Sequence, residues 1–118
     1  MINIKISLQN NKISGFEISG HANTAPRGYD IVCAGVSALS QTALMGLGQY
    51  LKRDIDFEQA PPDRGGFLSM KLNSDPDSLS EAVLQTMLLG LKEIERLYPK
   101  IIKIEYEEGG IQYEEIRL

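Results

Sequence analysis

Gly20-His21-Ala22-Asn23-Thr24-Ala25-Pro26-Arg27-Gly28-Tyr29-Asp30-Ile31-Val32-Cys33-Ala34-Gly35-Val36-Ser37-Ala38-Leu39 joins the two kinds of pattern in this chain. Upstream, apolar and polar residues alternate as in a strand. Downstream, a run without charge extends from Ile31 to Leu51. Gly20, Pro26 and Gly28 break both patterns, so a loop connects a strand end to a helix start. That junction holds the only histidine, His21, and the only cysteine, Cys33.

Working outward, Ile2, Ile4, Ile6 and Leu8 alternate with Asn3, Lys5 and Ser7, which predicts a half-buried strand. Gln9-Asn10-Asn11-Lys12 reads as a hairpin turn, because asparagine tolerates left-handed backbone. Phe16 and Ile18 face inward on the next strand. Ile13 is out of phase with them, which points to a bulge near Gly15. Asp30 is the expected N-cap of the first helix, and no charge interrupts that helix before Lys52. The absence of charge predicts a helix buried around most of its circumference. Polar residues and glycines dilute the run too much for a membrane span.

Two further strands are expected around Ile55 and Phe57, and around Leu68, Met70 and Leu72, separated by Pro61-Pro62-Asp63-Arg64-Gly65-Gly66. Ser78-Leu79-Ser80-Glu81 has the serine-to-glutamate spacing of a capping box. Leu84, Met87, Leu88, Leu91 and Ile94 then repeat at helical spacing, up to Tyr98-Pro99. Ile102, Ile104 and Tyr106 form a last core strand, and Gly109-Gly110 can turn it into one more. The expected fold is a single α+β domain over residues 1–118. Its order is β-β-α-β-β-α-β, with an optional final β, and two helices pack on a mixed, largely antiparallel sheet in two layers.

A formal net charge of −4 argues against a direct nucleic-acid module, which would carry a basic face. One cysteine excludes an internal disulfide and fits a reducing cytoplasm. No zinc-ligand spacing, CxxC pair or phosphate-binding glycine loop occurs. What remains is the thiol. With Asp30 as N-cap, Cys33 is the third helical residue, where free amides and the helix dipole favour thiolate and an oxyanion. His21, at the strand end, is placed to act on it. Asp30 has two readings, a cap that opposes the thiolate or a partner that orients the imidazole. Ser37, one turn beyond Cys33, either bonds back to the helix or faces a substrate. Gly35 and Ala38 read as small residues that admit a close neighbour. By residue type alone, Cys33 as a small buried residue and His21 as a turn residue stay open beside catalysis.

Gly20-His21-Ala22, Gly28, Asp30-Ile31-Val32-Cys33-Ala34 and Val36-Ser37-Ala38-Leu39 resemble the motif of the ribosomal-processing cysteine protease family, Prp. The resemblance implies a cytoplasmic, homodimeric cysteine endopeptidase that removes an N-terminal extension from a large-subunit ribosomal protein. It makes Cys33 the nucleophile and His21 the general base, with Gly20, Asp30 and Ser37 in substrate-binding or supporting positions. It implies no metal, no organic cofactor and no membrane partner. The segment Gly109 to Leu118 is longer than the family's usual ending, and could add an edge strand or a subunit contact. A non-catalytic protein that binds a ribosomal subunit protein is the alternative, and a thiol-based sensor is a third.

Overall fold

Alternation at the N-terminus becomes β1 (Ile2–Gln9), and a two-residue turn returns the chain as β2 (Lys12–Ser19). Asn10 and Asn11 make that turn with φ of 54° and 67°, the left-handed backbone asparagine accepts. This computed structural model describes residues 1–20, 29–60 and 67–108. It continues as α1 (Tyr29–Met45), β3 (Ile55–Ala60), β4 (Phe67–Leu72), α2 (Ser78–Leu97) and β5 (Ile102–Glu108). The optional strand after Gly109 lies outside the described residues.

The five strands form one sheet in the order β3-β4-β2-β1-β5, in which only β1 and β5 run parallel. The expected α+β architecture is therefore the observed one. Register aligns the apolar side chains in rows: Ile104, Ile4, Ile18 and Leu68 in one, Tyr106, Ile6, Phe16 and Met70 in the next. These rows face the helices. Lys5, Glu17, Ser69 and Glu58 lie across from one another on the opposite, uncovered face. A sheet with one packed and one solvated face gives the alternation seen in the sequence.

The bulge falls where Ile13 goes out of phase: Ser7 pairs with Gly15 and Leu8 with Ile13, leaving Ser14 as the extra residue. Ile13 thereby becomes fully buried. Gly15 is required by close approach, because a Cβ there would collide with the Met70 carbonyl oxygen of β4.

The helices run antiparallel, with Gly35 of α1 against Ile94, Leu39 against Gly90, and Gly46 against Val83. Gly35 thus admits a neighbour as expected, whereas Ala38 is exposed. Only one stripe of α1 is buried, comprising Val32, Val36, Ser40 and Ala43. The expectation of near-complete burial fails because two layers cover one side of a helix only. Ile31 is 68% exposed. Asp30–Tyr50 is long and apolar enough by length and composition to cross a membrane; in the fold it packs beside α2.

Two termini differ from expectation. The α1 axis continues through a π-helical turn, Gly46–Tyr50, where Leu51 donates to the Gly46 carbonyl at 2.9 Å. The α2 cap is Asp77 and not Ser78. Asp77 Oδ1 accepts from the Ser80 amide at 2.9 Å, and Ser80 Oγ accepts from the Asp77 amide at 3.0 Å. The box is shifted by one residue because Asp77 also meets Arg53 at 2.8 Å. Glu81 is left to bond Ile13 instead.

Candidate active site

β2 ends at Ser19, whose row includes Asn3 and Phe67, and half-buried Gly20 continues from that end of the sheet. His21 follows directly, outside the described residues. The chain is described again at Tyr29, the first residue of α1.

That start corrects the placement of two residues. Asp30 is not the N-cap but the second helical residue, exposed in the first turn. Cys33 is accordingly the fifth helical residue and not the third. In an α-helix the fifth amide pairs with the first carbonyl, here that of Tyr29. The Cys33 amide therefore belongs to the hydrogen-bond ladder, and the amides that lack a partner within the described part of the helix are those of Tyr29, Asp30 and Ile31.

The same geometry sets Asp30, Cys33 and Ser37 on one stripe, because three- and four-residue steps bring helical positions over one another. Asp30 and Ser37 are exposed at its ends, and Cys33 is half-buried between them. Val32 and Val36, both almost fully buried, seat the backbone beside the thiol on the core. Cys33 packs against that core and keeps part of its surface open to solvent. It is thus neither a wholly buried apolar filler nor a fully exposed thiol. The hydroxyl that bonds back to the helix is that of Ser40, which donates to the Val36 carbonyl at 2.8 Å.

Chemically, this is a partly accessible thiol one turn into a helix, with the positive end of the dipole ahead of it. The proton acceptor expected from the sequence, His21, lies outside the described residues.

A second feature escaped the sequence reading. The uncovered sheet face holds a hollow of about 1180 Å³, lined among others by Glu17, Asp56, Glu58, Lys71 and Asp75. No residue of α1 lines it, so it is separate from the thiol. Its signal in the sequence was the polar half of each alternating strand, which by itself reads as a solvated surface.

Fold and thiol together have close parallels. Residues 1–103 match the family model described as cysteine protease Prp, so the chain belongs to that family and is a cysteine protease. A protein named ribosomal processing cysteine protease Prp from Staphylococcus aureus is 32% identical over 111 residues, covering 91% of this chain and 100% of that protein. The protein of the same name from Bacillus subtilis is 30% identical over 102 residues, covering 78% of this chain and 84% of its own. Among solved structures, the S. aureus Prp in complex with a covalently linked product peptide superposes with a TM-score of 0.78. It is 29% identical and covers 91% of this chain and 100% of that one. SMU.848 from Streptococcus mutans shares the fold with a TM-score of 0.80 at 22% identity, over 92% of this chain and 95% of that one.

Proposed function

We propose that this protein is a single-domain endopeptidase of ribosome maturation, which removes the N-terminal extension of a large-subunit ribosomal protein. Cys33 is the nucleophile and His21 the general base. The observation that carries the reading is the partly buried Cys33 near the start of α1, within the residues that the family model matches. Relatives named for ribosomal processing, and an S. aureus relative bearing a covalently linked product peptide, support the substrate class.

His21 takes the thiol proton, and the Cys33 sulfur adds to the scissile carbonyl carbon. First-turn amides of α1 stabilise the oxyanion as it forms. The protonated imidazole gives its proton to the departing amine as the C–N bond breaks. Water activated by the same imidazole then hydrolyses the thioester, releasing the extension as a carboxylate and restoring the thiol. Asp30 orients the imidazole, and Gly20 and Ser37 border the bound peptide. The enzyme acts in the cytoplasm as a homodimer, without metal or organic cofactor.

Mass spectrometry of the extended ribosomal protein after incubation tests this. Wild type yields the shortened chain and Cys33→Ala yields none. Equal cleavage by the two proteins overturns the mechanism.

A further inference from the structure

β3 and β5 are the two edges of the sheet, and they are finished differently. In a parallel pair, alternate residues turn both backbone groups to the same side. Ile2 donates to the Ile101 carbonyl at 2.7 Å, so odd-numbered residues of β5 face β1 while Ile102, Ile104 and Tyr106 turn outward. Two of those outward amides are occupied. Ile102 donates to the Tyr98 carbonyl at 3.3 Å, and Ile104 to the Glu95 carboxylate at 2.8 Å. Such cover protects a sheet edge from further pairing.

Among the described residues, the β3 edge has no such cover. Asn73 donates to the Asp54 carbonyl at 3.0 Å, which fixes the phase of the antiparallel ladder. Asp56, Glu58 and Ala60 face β4, and Ile55, Phe57 and Gln59 turn their N–H and C=O groups outward. Among the described residues, none of those outward groups has a hydrogen-bond partner. Phe57 lies on the helix-side face of the sheet, beyond the reach of α2, which packs on β2 and β5, and its side chain is 54% exposed.

Charge selects the occupant. Antiparallel pairing of β3 with a second copy sets like charges opposite in the three central registers that keep the faces continuous. Centring on Phe57 places Asp56 against Glu58, and centring on Asp56 or Glu58 places that residue against itself. A cationic strand meets no such repulsion. Its basic side chains would lie over the hollow of the open face, where Glu17, Asp56, Glu58 and Asp75 outnumber Lys71. Glu58 is the more available carboxylate, since its cross-strand neighbour is Ser69, whereas Asp56 faces Lys71 and accepts from Asn73 at 3.1 Å.

We propose that the β3 edge takes up an extended segment of the substrate as an added strand, reading a basic–apolar–basic triplet opposite Asp56, Phe57 and Glu58. Main-chain bonds to Ile55, Phe57 and Gln59 supply affinity, and the alternating side chains supply specificity. β3 ends at Ala60, opposite Phe67, which is itself opposite Ser19. A strand laid along it therefore runs toward the end of the sheet from which the chain leaves for Cys33. Assigning the strand to substrate rests on the protease reading; strand addition does not.

The probe is a fluorescent nine-residue peptide alternating lysine and valine, titrated into the full-length Cys33→Ala protein by anisotropy. A glutamate–valine peptide and a lysine–valine peptide N-methylated on its bonded residues serve as controls. Only the unmodified lysine peptide binds, and amide exchange slows at Ile55, Phe57 and Gln59. Glu58→Lys weakens it about tenfold and lets the glutamate peptide bind. With the extended ribosomal protein as substrate, Glu58→Lys in the active enzyme raises KM and leaves kcat unchanged. Binding that tolerates N-methylation or ignores Glu58→Lys overturns the proposal. If wild type leaves the ribosomal protein uncut, the proteolytic reading fails, and the peptide titration still decides whether the edge accepts a strand.

Discussion

Glu81, in the first turn of α2, accepts the backbone amide of Ile13 at 2.8 Å beside the β2 bulge. Because Ile13 is fully buried, water cannot replace that acceptor. Glu81→Ala should lower unfolding stability by about 2 kcal/mol, the cost of stranding a buried donor. Glu81→Gln retains an oxygen and should lose less than half as much. Urea denaturation of the three proteins, with m-values compared, checks the order.

Gly15 and Gly90 both sit in close contacts, yet replacing them should have different consequences. At Gly15 the obstacle is the Met70 carbonyl, part of the sheet ladder and unable to move aside. At Gly90 a Cβ would lie 2.8 Å from Leu39 Cδ1, the end of a side chain that can change rotamer. Alanine at Gly90 also gains about 1 kcal/mol of helix propensity. Gly15→Ala should therefore cost about 2–4 kcal/mol, with Gly90→Ala within about 1 kcal/mol of wild type. Thermal melts of the pair separate backbone from side-chain obstruction.

The Asp77 carboxyl is held below its usual range chiefly by the Ser80 amide; desolvation opposes this, and the Arg53 guanidinium and the Leu79 amide add to the lowering. A depressed carboxyl stabilises the fold fully above its unfolded value, near 3.8, and loses that contribution as pH falls through the lower folded value. Asp77→Ala should lower the melting midpoint by roughly 5 °C at neutral pH. The gap should narrow as the pH drops below that range. Melting curves between neutral pH and pH ~2 test the convergence.

His21→Ala should reduce cleavage of the extended ribosomal protein by about a hundredfold or more, the usual contribution of a general base. It should also slow iodoacetamide alkylation of Cys33, because the imidazole no longer draws off the thiol proton. Unchanged rates in both assays would remove His21 from the site.

The strands were legible because a half-covered sheet imprints alternation on each of them, and even the bulge showed as the phase slip at Ile13. The second helix was legible from Leu84 to Ile94, but its cap was displaced by one residue. Asp77 is fixed as cap by Arg53, 24 positions earlier, and local spacing does not encode that contact. The helix start before Cys33 was misplaced for a related reason. Asp30 has the chemistry of a cap, yet the helix already begins at Tyr29. That two-residue shift of register moved the Cys33 amide from the free donors into the ladder. The exposed side of α1 was hidden by its lack of charge, since uncharged residues read alike whether buried or uncovered. Asp30, Cys33 and Ser37 were singled out by the motif, and their common stripe needed only helical geometry; Gly20 stands apart, after the end of β2.

Arg53 gathers the far end of α1 into one knot: its amide meets the Leu47 carbonyl at 2.9 Å, its Nη1 the Leu51 carbonyl at 2.8 Å, and its Nη2 the Asp77 carboxylate at 2.8 Å. With Gly35 and Leu39 gripped by α2, the helix resembles a cantilever, clamped at the root and along its span. Cys33 lies between Val32 and Val36, which the core holds, so the place of the thiol depends on packing along the whole helix and not on its first turn alone.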